Sequence, residues 1–321
     1  MNEKKIVILG AGNIGFSVLQ QLQNSERNTK IVVIDKRYPS YLKEFIFNEK
    51  NNRILFIMAD VTNQDDLNKI ATIDELQKVN ILISTIGYLS RSYEFEIFLE
   101  EFNMNFLGNV VPINRFIKNM PRCKNNRVII LSSTSGSFAP KQVTSYSSSK
   151  WALESFSRSL RCELLKDKIF VDIIRPASIL NKYSNVFKIE KGIDSVLVAK
   201  RIYKQLQLTI NGKERSGGNF FIPRYYFGIR ICERMFPMIL NKFYAGLKFG
   251  HTRRKNYKKF MIKSIVIIEA THGLGRELAL IYSKHTARMV ITGGSNEKLA
   301  DLKSEINTVS NCDVSIYNFF F

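Results

Sequence analysis

Ser133, Tyr146 and Lys150 are the residues of this chain best spaced to do chemistry together. They lie in SSTSGSFAPKQVTSYSSSK, residues 132–150, with Ser133 thirteen positions before Tyr146 and Tyr146 four before Lys150. A four-residue step puts a phenol and an ammonium on one helix face, one turn apart. The ammonium is expected to pull the phenol down from its ordinary value towards neutrality. Such a phenol suits a general acid that protonates a carbonyl oxygen while hydride arrives at carbon. Ser133 follows the strand-like run RVIILSS and would hydrogen-bond the same oxygen. Spacing alone does not single this pair out, because Tyr244 and Lys248 repeat it with Ile231 at the serine position. The setting does: a β-rich run, a small-residue loop, then the helix-like SYSSSKWALESFSRSL.

In these residues the chain resembles the short-chain dehydrogenase/reductase family. The resemblance implies Tyr146 as acid/base, Ser133 as donor to the substrate oxygen, and Lys150 as holder of the nicotinamide ribose. It implies a fourth member, Asn105 in MNFLGNVVPINRF, which anchors a proton-relay water.

These residues need elements to position them. From residue 4 to 223 strand-like runs alternate with amphipathic stretches: KIVILG, KIVVIDK, RILFIMAD, VNILIST, RVIILSS, FVDIIRP and NFFIP. Near-continuous apolar strands alternating with helices predict an α/β fold, a Rossmann-like doubly wound parallel sheet covered on both faces. Seven strands complete the sheet that the resemblance implies.

The first strand runs into Gly10-Ala11-Gly12-Asn13-Ile14-Gly15 and then a helix. This is the setting in which G-x-G-x-x-G holds a dinucleotide. Gly10 permits the turn, Gly12 the approach of pyrophosphate, and Gly15 close helix–strand packing. Asp35 ends the second strand, twenty residues after Gly15, where an acid binds the adenosine ribose 2′-hydroxyl. Its charge favours NAD(H) over NADP(H); Lys36 and Arg37 soften that preference and keep NADP(H) open. The turn is one residue shorter than the family's G-x-x-x-G-x-G.

The resemblance adds further cofactor contacts. Asp60 and Val61 in MADVT match adenine-contacting positions. STIG, Ser84 to Gly87, stands where the family has NNAG and keeps only Gly87. RPASILN replaces P-G-x-x-x-T, keeping Pro176 and offering Asn181 to the carboxamide.

Composition sets bounds. Of 321 residues 45% are hydrophobic and 24% charged, ordinary for a globular protein. Four scattered cysteines and three histidines form no metal-ligand spacing, so no metal is expected. No signal peptide precedes KKIVILG and no apolar run reaches the length of a membrane span, which reads as a cytoplasmic chain. The formal net charge of +20 is uneven: residues 224–263 hold eleven Lys/Arg against Glu233 alone. Residues 224–260 form a basic, aromatic, amphipathic segment, and such a segment can lie on an anionic membrane surface, which would make the protein peripheral on the inner face. A helix packed on the domain or at a homodimer interface is the other reading. No nucleic-acid-reading motif accompanies the charge. The segment also carries a looser resemblance to polyprenyl-phosphate-sugar keto-reductases.

Residues 261–321 resemble the start of a second copy of the same family, truncated after a third strand-like run. Glu269 stands at its first glycine, where a Cβ burdens the turn and a carboxylate repels pyrophosphate. It has no Ser/Tyr/Lys set. The expected domains are therefore 1–223, 224–260 and 261–321. The expected function is an NAD(P)-dependent oxidoreductase acting on a small-molecule or lipid-linked carbonyl or alcohol. The competing reading is a non-catalytic dinucleotide-binding sensor or scaffold, for which Tyr146 has no use.

Overall fold

The computed structural model of the chain describes residues 3–23, 29–48, 53–90, 94–122, 126–140, 143–180, 192–211, 217–228, 231, 264–284 and 286–318. It divides into two compact units, Met1–Phe249 and Gly250–Phe321.

The seven apolar runs of the first unit become seven strands: β1 Lys4–Leu9, β2 Thr29–Asp35, β3 Ile54–Met58, β4 Ile81–Ser84, β5 Asn126–Leu131, β6 Ile169–Pro176 and β7 Asn219–Ile222. All neighbours pair in parallel, in the order β3-β2-β1-β4-β5-β6-β7. The order reverses between β1 and β4. A crevice therefore opens there at the carboxyl ends of the strands, the usual ligand position of such sheets.

Successive strand residues point to opposite faces, and both faces are covered, so the strands read as unbroken apolar runs. Ile6 and Ile8 pack with Phe16 and Leu19 of α1 (Asn13–Gln23), Leu42 of α2 (Ser40–Phe47) and Ile202 of α7 (Ser195–Ile210). Val7 and Leu9 share the opposite core with Leu67 of α3 (Gln64–Ala71), Ile113 of α5 (Gly108–Lys118) and Leu153 of α6 (Thr144–Leu164). Helix α4 (Phe95–Phe102) runs into α5 through a π-helical turn, Asn103–Leu107. Such turns insert an extra residue and recur at functional sites.

The first glycine turn is built by steric necessity. Gly10 has φ +92°, and a Cβ at Gly15 would lie 2.0 Å from the Gly10 carbonyl oxygen. Two charge pairs are buried beside β6. Arg127 binds Asp172 and donates to Thr209 Oγ1 at 2.6 Å, while Arg175 binds Glu154 and lies 5.0 Å over the Phe221 ring.

The second unit is β8 (Ser264–Ile267), α8 (Gly273–Ser283), β9 (Arg288–Gly293), α9 (Asn296–Val309) and β10 (Asp313–Asn318). Its three parallel strands take the order β10-β9-β8 around Ile267, Ile291, Leu299, Leu302 and Val314. It is a partial Rossmann-like unit, repeating the β1-α1-β2-α2-β3 arrangement. Its turn makes the same close approach over one more residue: a Cβ at Gly275 would lie 2.2 Å from the Glu269 carbonyl oxygen, and Glu269 and Gly273 take φ +58° and +55°.

A left-handed glutamate costs about 1 kcal/mol or more. Glu269→Gly is therefore expected to slow amide exchange across β8, β9 and β10, by an amount limited by the added glycine freedom in the unfolded chain. Faster exchange in the variant would show that the glutamate side chain contributes more than its backbone strain costs.

Candidate active site

Most of the predicted residues gather in two adjoining groups at the carboxyl edge of the sheet. The first is the glycine turn. The Asp35 carboxylate accepts from Ala11 N–H at 2.6 Å and from Arg37 N–H at 2.9 Å. It therefore fixes the turn and keeps further lone pairs to offer a ribose hydroxyl. The Tyr41 hydroxyl donates to the Ala11 carbonyl at 2.8 Å. A Cβ at Gly12 would meet nothing within 4 Å, so the turn faces open space there. Asn13 and Ile14 begin α1, with Ile14 partly packed on the core. A turn of bare N–H groups at a helix N-terminus, with an acid at the end of β2, fits a dinucleotide.

The second group holds the candidate catalytic residues. Ser133, just past β5, and Tyr146, in the first turn of α6, are joined by a side-chain hydrogen bond. The Ser133 Oγ also accepts from Ser135 N–H at 3.1 Å. Lys150 is 1% exposed, and its ammonium donates to the carbonyls of Ile86 (3.4 Å) and Leu131 (3.3 Å). A Cβ at Gly87 would meet Lys150 Nζ at 3.4 Å and Asn105 Oδ1 at 3.5 Å. Gly87, Asn105 and Lys150 thus converge on one spot.

Thr85 joins the two groups. Its hydroxyl donates to the Leu9 and Gly10 carbonyls at 3.1 and 2.9 Å. The departure of STIG from the family pattern therefore has local uses. Thr85 fastens the glycine turn, and Ser84 donates to Asn109 Oδ1 at 2.6 Å.

One expectation is corrected. Lys150 does not lower the Tyr146 phenol, which stands above its ordinary value. Burial raises it most, the Ser133 hydrogen bond opposes this, and the Glu101 charge raises it further. The lysine lies 5.8 Å from the ring centroid, held by two carbonyls, and is itself pushed down to about 8 by burial, with Glu154 opposing. Desolvation outweighs the attraction that spacing alone suggested. The phenol is consequently protonated near neutrality, the form a general acid needs.

The Asn105 side chain is committed to the loop after β4: Oδ1 accepts from Tyr88 N–H at 2.7 Å, and Nδ2 donates to the Tyr88 carbonyl at 2.8 Å. Its own carbonyl accepts from Asn109 Nδ2 at 2.8 Å. Asp60 sits past β3 and accepts from the N–H and hydroxyl of Thr62 at 2.9 and 2.6 Å. Burial works against its charge, but Thr62 and Lys36 together hold it below the ordinary carboxylate range. Val61 is buried beside it. Pro176 ends β6, one strand beyond Ser133. Asn181 lies outside the described residues, as does most of the basic segment. Of that segment, Tyr226 packs 5.8 Å from Phe138 and Phe227 6.2 Å from Phe221, measured between ring centroids. Among the described residues no helix is long and apolar enough to cross a membrane, and no group of three or more His, Cys, Asp or Glu could hold a metal ion.

Sequence reasoning passed over Glu101, Asn109 and Glu154, all buried. The signal for Asn109 was present in its four-residue step from Asn105; Glu101 stands four residues before.

A doubly wound parallel sheet with a glycine turn at its switch point and a Ser–Tyr pair beside a buried lysine defines a dinucleotide-binding α/β domain. The short chain dehydrogenase model matches residues 4–188, and the chain belongs to that family of oxidoreductases. Among curated relatives, a dehydrogenase/reductase SDR family protein 7-like of Dictyostelium discoideum is 24% identical over 68% of this chain and 67% of its own. The post-translational flagellin modification protein A of Campylobacter coli is 26% identical over 58% of this chain and 82% of its own. A 3-ketodihydrosphingosine reductase of Bos taurus matches over only 55% of its length, at 24% identity. The chain thus spans about half to four fifths of these three relatives. A short-chain dehydrogenase of Burkholderia cenocepacia solved with NADP has TM-score 0.63 at 16% identity, covering 76% of this chain and 98% of that one. The alcohol dehydrogenase of Thermococcus sibiricus, solved with 5-hydroxy-NADP, has TM-score 0.59 at 17% identity, covering 68% and 96%.

The buried lysine gives a pH prediction with a fixed sign. Between about pH 8 and its ordinary 10.5 the unfolded chain binds a proton at Lys150 that the folded chain does not. This group's contribution to stability is therefore flat below pH 8 and rises with pH across that window. Lys150→Met is expected to remove the rise and to be the more stable protein at pH 7, by about 3 kcal/mol at most. Urea unfolding of both proteins at pH 7 and pH 10 measures it. Equal pH slopes would show that the folded lysine is not depressed.

Proposed function

We propose that the chain is an NAD(P)-dependent oxidoreductase that interconverts a carbonyl and a secondary alcohol, with Tyr146 as the proton-transferring group. The observation that carries this reading is the convergence of the Ser133–Tyr146 hydrogen bond with Lys150, Gly87 and Asn105 at the switch-point crevice. A nicotinamide dinucleotide would supply or accept the hydride. Gly10 to Gly15 and Asp35 would hold its pyrophosphate and adenosine ribose, and Lys150 its nicotinamide ribose; Asp60, Val61, Gly87, Pro176 and Asn181 complete the proposed contacts.

The chain's own part is orientation and a proton. Ser133 donates to the substrate oxygen and aligns it with the Tyr146 hydroxyl. Tyr146, protonated near neutrality, gives its proton to that oxygen in the reducing direction and takes it back in the other. The Lys150 ammonium, depressed to about 8, anchors the ribose. Asn105 holds the Tyr88 backbone and so shapes the wall of the site; its relay water belongs to the proposal. NAD(H) is the favoured cofactor because the Asp35 carboxylate, fixed by two N–H donors, meets a 2′-phosphate with like charge. NADP(H) is the alternative, in keeping with the NADP in the Burkholderia structure and with Lys36 and Arg37 beside Asp35. A lipid-linked substrate at an anionic bilayer rests on the basic segment alone. Co-sedimentation with anionic vesicles, with and without residues 229–260, decides it.

The first test is fluorescence titration of the purified chain with NADH and NADPH, followed by reduction of a panel of model ketones. Tyr146→Phe is expected to lower turnover roughly 10²–10⁴-fold while leaving NADH affinity nearly intact. Retention of more than about a tenth of the activity would remove Tyr146 from the role. Asp35→Ala is expected to narrow the gap between NADH and NADPH by relieving repulsion of the 2′-phosphate. Tighter binding of NADPH than NADH by the unchanged chain would overturn the cofactor argument.

A further inference from the structure

Glu101 is fully buried on α4, and its carboxylate reaches two other elements. Oε1 accepts from Ser90 N–H at 2.5 Å, and Oε2 accepts from the hydroxyl of Ser145, the neighbour of Tyr146 in the first turn of α6. This is one rung of a longer ladder. Asn105, four residues on, brackets the Tyr88 backbone at 2.7 and 2.8 Å. Asn109, four further on, donates to the Ile86 carbonyl at 3.3 Å and accepts from the Ser84 hydroxyl at 2.6 Å. Helix residues 109, 105 and 101 thus meet loop residues 84 and 86, then 88, then 90, in antiparallel order. The helix pins the stretch that carries Gly87 and the Ile86 carbonyl under Lys150.

We infer that Glu101 is a positioning residue of this site: its carboxylate ties the loop after β4 to the first turn of α6 and thereby sets Tyr146 against Gly87, Asn105 and Lys150. Asn105 and Asn109 bind only the loop and their own helix; Glu101 alone of the three reaches the element that bears the tyrosine. The titratable groups its charge acts on are Tyr146 on α6 and Tyr88 on the loop, with Glu100 beside it in its own helix acting on Tyr88 as well. Its charge also bears on the phenol. After burial, and against the Ser133 hydrogen bond, Glu101 raises Tyr146; Tyr88 is raised by burial, then by Glu100 and Glu101. Buried carboxylates are strong acceptors, and each donor lost to one leaves the other side unsatisfied. The catalytic meaning of the inference rests on the oxidoreductase reading; the ladder itself does not.

The test uses the full chain and needs no turnover. Tyrosinate absorbance is followed against pH, and subtracting the Tyr146→Phe protein isolates Tyr146. Glu101→Gln removes the charge at nearly constant shape, so the Tyr146 titration is expected to move to lower pH. Amide exchange at Ser90 is expected to quicken about tenfold or more, while Tyr88, still held by Asn105, stays protected. A Tyr146 titration that does not move, or unchanged exchange at Ser90, overturns the proposal. Should Glu101→Gln not fold, Glu101→Asp keeps the charge and shortens the reach. Quicker exchange at Ser90 with the Tyr146 titration held in place supports the role, and unchanged exchange overturns it. A purified chain that binds neither NADH nor NADPH would defeat the oxidoreductase reading without touching either measurement.

Discussion

A lysine ammonium enclosed at the carboxyl edge of the parallel sheet is the constraint around which the first unit is arranged. Lys150 is kept from water, and its charged form is disfavoured there unless polar groups surround it. Two carbonyls do this: Leu131, at the end of β5, and Ile86, in the loop after β4. Parallel strands bring such carbonyls to one edge together, and the switch point leaves the space in front of them open. The lysine is therefore an outcome of topology as much as of sequence. Its nitrogen keeps both partners only while the loop after β4 holds the Ile86 carbonyl in place. That loop in turn is held by Thr85 on the glycine-turn side and by Asn105 and Asn109 on the helix side. The glycine turn and the candidate catalytic residues are thus mechanically one assembly, joined through the loop after β4.

Much of this was legible in the chain. All seven strands coincide with the apolar runs, because burial on both faces removes the alternation that would otherwise blur them. Gly10 and Gly15 were legible because a close approach of backbone to backbone admits no other residue. The Ser133, Tyr146 and Lys150 spacing was legible because it spans one strand end and one helix turn. Less legible were the buried polar residues on either side of Asn105. Glu101 and Asn109, each four residues from it, look, in sequence, like a solvated helix face. They are inside because the loop after β4 presents backbone N–H and C=O groups with no strand partner, and these must be satisfied somewhere. The tyrosine's direction of shift was misread for a related reason. Spacing gives the separation of two residues along a helix, but not which of them loses more water.

The second unit separates two demands that a single glycine turn normally meets together. In the first unit Gly10 turns the chain, and open space at Gly12 admits a ligand. In the second, the turn keeps its form to within a few tenths of an ångström at the Gly275–Glu269 approach, yet the turning residue is a glutamate at φ +58°. Helix–strand packing has been conserved in geometry while the residue that would face a pyrophosphate is an anion. The packing demand comes from the core of Ile267, Ile291, Leu299 and Val314, which needs α8 close to β8 whether or not anything is bound. A turn of this shape is therefore evidence for how a helix meets a sheet. Evidence for a dinucleotide comes from the company it keeps: an acid at the end of the second strand held by the turn's own N–H, and a hydroxyl from the fourth strand's loop fastened to the turn's carbonyl. Asp35 and Thr85 supply both in the first unit. This is why the cofactor argument rests on residues 1–223 and gains nothing from the second turn.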